Sequence, residues 1–297
     1  MKLELLAYLD YEKASLEEQI DLALKLNIKS FLFREINGQN IVEMSEEVFQ
    51  QTLLEFNKKK IKVAAVDPLI PSYDLYQPDA KKQFDASLEL AIKRAKSLKA
   101  EYIYYVIPKF IDVTTDTDII LTHIKEHLSL IKKAKLVVLI KPASNHKANT
   151  YRFILNALKD DHIKINYDPV YFHLNKESNV TAYRLLREFI GIFVAADMDQ
   201  MGIPRLVGLG KLEMTQMFKK LFKNKYNGYV VLDSKLPEVI QKASTYRWHQ
   251  TLFSRRKKLE RKIFNDFIER SDGYSIYEVI HYQMVILNVI FFNKKID

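Results

Sequence analysis

The 297-residue chain contains no cysteine, which excludes disulfides, thiolate metal sites and cysteine nucleophiles together. Long apolar runs are missing as well. No window reaches the roughly 18 uninterrupted apolar residues of a membrane span, and the nearest, VIHYQMVILNVIFF near the C-terminus, is broken by His281, Gln283 and Asn288. The N-terminal MKLELLAYLDYE acquires acids within a few residues, unlike a signal peptide. Neither GxGxxG nor GxxxxGK(S/T) occurs, so no glycine-rich phosphate loop is expected, and there is no GxSxG to support a serine nucleophile. Together these absences predict a cytoplasmic protein without a membrane segment.

What is present is a large apolar fraction, 48%, enough for a sizeable core, and a net charge of +9. The charge invites a nucleic-acid reading. Its densest run is Arg247, Arg255, Arg256, Lys257, Lys258, Arg261 and Lys262 against Glu260 alone, in a segment of helical spacing. Such a run reads first as a solvated helix face, and the richness in Lys, Ile, Asn and Tyr points to compositional drift. His123 and His127, one helical turn apart in HIKEH, have a spacing that can chelate zinc. They fall on a predicted outer helix with no acidic third ligand nearby in the sequence, and read as surface residues.

Eight short β-rich runs recur along the chain: residues 2–9, 29–35, 61–67, 101–107, 135–141, 162–168, 189–197 and 228–233. Amphipathic helical stretches separate them, two of which open on the N-cap candidates Ser15, with Glu18 behind it, and Ser45. Eight strand–helix units predict a (β/α)8 barrel over residues 1–236. Residues 237–297 are expected to form a helical extension. Its apolar end, IYEVIHYQMVILNVIFF, is expected to pack on the barrel or across a homodimer.

In such a barrel the C-terminal strand ends converge on the functional face. Read in order, those ends are Arg34, Asp67, Pro108, Lys141, Asp168, Asp197 and Asp233. KINYDP is typical: an apolar-alternating strand stops at a carboxylate, followed by a proline that forbids continuation. His173, shortly after Asp168, reads as a loop residue able to contact a ligand or move a proton. Tyr104, Tyr105, Tyr167 and Tyr171 give the rim an aromatic character suited to sugar rings.

Four pieces in order carry a resemblance: LALKLNIKSFLFR, KINYDPV, VGLGKL and YNGYVVLDS. Over roughly residues 1–240 the chain resembles the xylose isomerase-like barrels, which include sugar 3-epimerases, inosose dehydratases and isomerases, and more distantly endonuclease IV. The resemblance implies one divalent metal, held by Glu, Asp, His and Glu from strands five to eight, with open positions for substrate oxygens. Carried over by position, the first Glu falls on Lys141 and the Asp on Asp168. The His falls on Val194 or Ala195, the acid after it is kept as Asp197, and the last Glu becomes Asp233. The acid of the GeG turn becomes Leu209, and the second-strand Glu becomes Leu32 beside Arg34.

This pattern predicts a site with no metal and no cofactor, in which the Lys141 ammonium stands among Asp168 and Asp233 where a cation would stand. Arg34, His173, Asp197 and Tyr167 are expected to contact the ligand. The expected function is binding of a sugar, polyol or sugar phosphate by a barrel with a degenerate metal site. One alternative is an active sugar isomerase or epimerase. Another is nucleic-acid binding through the basic C-terminal helices, against which the charge distribution argues.

Overall fold

A computed structural model of the chain describes residues 3–268 and 275–292. Each of the eight runs forms a strand: β1 (Glu4–Ala7), β2 (Ser30–Phe33), β3 (Lys62–Val66), β4 (Tyr102–Tyr105), β5 (Val137–Ile140), β6 (Ile163–Tyr167), β7 (Ile190–Ala195) and β8 (Tyr229–Leu232). They make one sheet of order β1-β8-β7-β6-β5-β4-β3-β2, the strand succession of a nearly closed (β/α)8 barrel. The pairings from β2 to β7 are parallel. Strands covered on both faces must be apolar throughout, which is why SFLF, IGIFVA and YVVL are buried at every position.

The helices are α1 (Leu16–Lys25), α2 (Glu46–Lys58), α3 (Pro78–Ser97), α4 (Thr117–Lys133), α5 (Ala148–Leu158), α6 (Pro169–Leu174), α7 (Asn179–Leu186) and α8 (Met214–Lys223). After β8 come α9 (Leu236–Ser244), α10 (Trp248–Leu252), α11 (Arg255–Ile268) and α12 (Ile276–Phe292). Ser15 and Glu18 form a full capping box at the start of α1, and Ser45 accepts from the Val48 amide at the start of α2. Helix ends are less ordinary. The chain holds only seven glycines, and the left-handed positions that close helices fall to Asn27, Lys60, Lys99, Lys135, Lys159, Lys176 and Lys225. A side chain there costs about 1 kcal/mol that glycine avoids.

The chain divides into two compact units, one of Leu6–Tyr167 with Val180–Phe193 and one of the rest. In the first, Arg94 is buried and ties down the loop after β2, donating to the Ile41 and Met44 carbonyls and to Glu46. His127, expected on a surface, is buried instead. Its neighbours on the same helix explain this: Ile120, Ile124, Leu128 and Ile131 form one buried stripe, and His127 lies within it. Nε2 donates to Asp85 at 2.8 Å and Nδ1 accepts from the Tyr105 hydroxyl at 2.8 Å, the only tautomer that serves an ionised carboxylate. Lys81 completes the group at 2.8 Å from Asp85 and 3.2 Å from Glu126.

Burial pushes the His127 imidazole below its ordinary value, with the Asp85 bond opposing only in part, and burial lowers His123 and His146 too. The unfolded chain therefore takes up protons near the ordinary histidine value of about 6.5 while the folded chain does not. Stability should fall as pH drops from 7.5 to 5.5. Urea midpoints measured across that range should show the loss, and His127→Gln, which can still donate to Asp85 and accept from Tyr105, should flatten it. An unchanged pH slope in that variant would remove His127 as a cause.

In the second unit, α8 buries Met214, Met217, Phe218 and Leu221, the stripe of an amphipathic helix. The helical extension expected over residues 237–297 is made of separate helices, α9 to α12, and its residues 269–274 and 293–297 lie outside the described ones. Helix α9, which follows β8, starts at Leu236. Helix α9 packs against α11 and α12, around a core of Ile203, Leu236, Ile240, Ile263, Phe267 and Val279. Phe291 of α12 meets Phe218 and Phe222 of α8. Among the described residues no helix is long and apolar enough to cross a membrane.

Candidate ligand site at the strand ends

Strand β3 runs out at Val66, and the next residue, Asp67, is buried. Its amide donates to the Phe33 carbonyl at 2.8 Å, and its Oδ1 accepts from the Leu69 amide at 3.1 Å, a turn that the following Pro68 favours. Its Oδ2 accepts from the Lys141 ammonium at 2.6 Å. Lys141 directly follows β5, and its amide donates to the Tyr105 carbonyl at 2.9 Å, so backbone and head group are both fixed. The side chain of Lys141 is 36% exposed and that of Asp67 only 3%. Behind Asp67 a void of about 10 Å³ is lined by Phe84, Leu88 and Tyr104, too small for a ligand.

A second ion pair lies at the ends of β1 and β2. Arg34 grips Asp10 in a two-pronged contact, Nε to Oδ2 at 2.5 Å and Nη2 to Oδ1 at 2.6 Å. Its guanidinium carbon also sits 4.0 Å from the centre of the Tyr8 ring, within cation–π range. Tyr8 donates to the Tyr104 hydroxyl, and Tyr104 to Asn166 Oδ1, each at 3.3 Å. The Lys141 ammonium lies 5.9 Å from the Tyr104 ring centre. Asp10, Arg34, Tyr8, Tyr104, Lys141 and Asp67 thus form one connected array within the first unit. Each cation is matched by a buried carboxylate, so the array is neutral overall. It can offer N–H donors to hydroxyl or carbonyl oxygens from Lys141, whose side chain is 36% exposed, and from Arg34, 18% exposed.

Lys141 and Arg34 therefore stand at strand ends, as expected. The sequence reading aimed the Lys141 ammonium at Asp168 and Asp233; the partner the structure gives it is Asp67. In the second unit Asp168 caps α6, its Oδ1 accepting from the Val170 amide at 2.9 Å and the Tyr171 amide at 3.2 Å. His173 is not on a loop but in the last turn of α6, half-exposed. Asp233 directly follows β8 and is half-buried.

Two expected ligand contacts are corrected. Asp197 is buried and given over to the backbone: Oδ1 accepts from Met198 at 2.9 Å and Leu212 at 3.1 Å, and Oδ2 from Gly208 at 3.0 Å and Gly210 at 2.9 Å. Four donors occupy the lone pairs of one carboxylate, which leaves it nothing for a ligand. Tyr167 is fully buried, stacked on Phe193 at 5.4 Å and edge-on to Tyr183 at 5.8 Å. It packs the core and does not reach the rim.

Sequence reasoning missed Asp10, Tyr8 and Asn166, and gave Asp67 no partner. Asn166 had a signal, a polar residue inside an otherwise buried strand, which needs a hydrogen-bond partner. The basic C-terminal run is partly consumed within the second unit. Arg256 pairs with Glu260 at 2.9 Å, Arg261 donates to the Ala243 and Ser244 carbonyls, and Lys257 lies 5.3 Å from the Tyr246 ring centre. Among the described residues no group of three or more His, Asp or Glu side chains could hold a metal ion.

No protein-family model matches the sequence, and no curated protein does. Solved structures do match, and they share the fold of xylose isomerase-like barrels. IolI protein with a binding zinc atom is 12% identical, with a TM-score of 0.67 over 99% of this chain and 100% of that one. D-psicose 3-epimerase with D-tagatose, from Clostridium cellulolyticum H10, is 15% identical, with a TM-score of 0.67 over 98% of each chain. The probable 3-DHS dehydratase AsbF, from Bacillus anthracis, is 11% identical, with a TM-score of 0.65 over 97% of this chain and 99% of that one.

Proposed function

We propose that this barrel binds a neutral, hydroxyl-rich ligand of the sugar or polyol class without a divalent metal. The observation that supports this is the Lys141–Asp67 pair. Where the resemblance implies an acidic metal ligand after the fifth strand, this chain presents an ammonium already bonded to a carboxylate. A divalent cation beside that ammonium would be repelled, and the position of the histidine ligand is held by Val194 or Ala195. The residues present do not suit the ion, and no chemical step is assigned to one.

Lys141 and Arg34 can donate to ligand hydroxyls while Asp67 and Asp10 hold them in place. Because both pairs are neutral, the site has no surplus charge to favour a phosphate over an uncharged sugar. Thermal unfolding with millimolar ketoses, aldoses, polyols and their phosphates tests this. At least one neutral compound should raise the melting temperature of the native chain and fail to do so for Lys141→Met, while Mn²⁺, Mg²⁺, Co²⁺ and Zn²⁺ should not. A metal-induced rise, or a sugar response indifferent to Lys141, would reject the reading. Solvent deuterium entering a carbon of the bound sugar would add isomerase or epimerase activity to binding.

A further inference from the structure

In the second unit, a cavity of about 240 Å³ opens between the 205–209 loop and helices α9, α11 and α12. None of the residues of the strand-end array lines it. Leu236 and Ile240 of α9 and Ile263 and Phe267 of α11 form its walls, and Tyr282 of α12 and Leu206 close the sides. Its remaining wall is Leu209, which stands where the resembled turn carries an acid and is 66% exposed at the mouth.

That loop is held rigidly. Asp197 fixes the amides of Gly208, Gly210 and Leu212, and Asp199 fixes those of Met201 and Ile203 at 2.8 and 3.0 Å and the Arg205 guanidinium at 2.8 Å. A preformed concave apolar surface with a few polar groups at its edge is the usual form of a small-molecule site. At the rim, Arg205 is already matched by Asp199. Asp266, also at the rim, is exposed and has no ion pair with any described residue. Asp266 offers an acceptor there while Arg205 is already engaged, which suits a ligand with an N–H or O–H group better than an anion. An apolar cavity of about 150 Å³ accommodates benzene, so this one has room for a fused pair of rings.

We infer that this cavity binds an uncharged one- or two-ring apolar molecule carrying a single hydrogen-bond donor, of the indole or phenol class. Calorimetric titration of the full chain with indole tests it, with benzoate as the anionic comparison. Indole should bind with a sub-millimolar Kd, as nine non-hydrogen atoms in an apolar pocket allow, and benzoate at least about tenfold more weakly. Leu209→Trp fills the mouth from an exposed position and so should fold, a point checked by circular dichroism; it should weaken indole at least about tenfold. No heat or chemical-shift change with indole, equal affinity for benzoate, or indole binding untouched by the folded Leu209→Trp variant would each overturn the inference.

Discussion

Replacing Asp197 with alanine should lower the unfolding free energy by about 3–5 kcal/mol, a large part of the roughly 5–15 kcal/mol that a domain commonly has. The carboxylate accepts from four backbone amides in a buried setting, and leaving donors unsatisfied costs about 1–3 kcal/mol each before relaxation and water entry reduce the sum. Asparagine should rescue little, because its NH₂ group would face donors. Gly210 supplies the companion experiment. A Cβ there would overlap the Asp197 carboxyl group and the Met198 carbonyl oxygen, so Gly210→Ala should also be strongly destabilising. The double variant should lose less than the two single losses added together, since removing the carboxyl makes room for the new methyl. Urea unfolding of the four proteins decides the matter. An Asp197→Ala loss under about 1 kcal/mol would show that the carboxylate does not organise the turn.

The second large effect is expected at Lys141. Lys141→Met keeps the stem but strands the Asp67 carboxylate in a site where it is almost wholly buried. Breaking a fully buried pair costs about 3–5 kcal/mol; with Lys141 partly exposed, about 2 kcal/mol is expected. Removing the carboxylate as well, in Asp67→Leu with Lys141→Met, should recover most of that stability, because two apolar groups need no partners. Sugar binding should be absent from both variants. The pair therefore separates the structural role of the ion pair from its role in the site. A double variant that regained ligand response along with stability would leave Lys141 as a fold element only.

The eight strands were legible because a parallel barrel demands apolar runs at regular intervals, and helix starts were legible because Ser15 and Ser45 carry their caps within three residues. Partnerships across the barrel were not. Asp67 and Asp197 end the nearly identical strings AAVD and VAAD, yet one binds an ammonium 74 positions away and the other a set of backbone amides. What separates them is which side chain the strand register brings opposite, and no local pattern encodes that. Tyr167 was misplaced for the same reason, since a strand-end tyrosine can face the rim or the helix layer. His127 was readable and was overlooked: counting three and four residues from Ile124 and Ile131 puts it on the apolar stripe.

The lysines at helix ends bear on how a ligand arrives. In the first unit Asn27, Lys60, Lys99, Lys135 and Lys159 each lie just before a strand begins, whereas the Lys141 and Arg34 array lies where strands finish. An ammonium there also suits the negative end of the helix it closes. Part of the chain's positive excess is thus spread as separate spots at the far ends of the strands, more than a Debye length of about 8 Å from the array. Within the array, each cation is cancelled by its own acid. The array itself therefore adds no net charge to draw a charged molecule, and capture of an uncharged ligand should vary little with ionic strength.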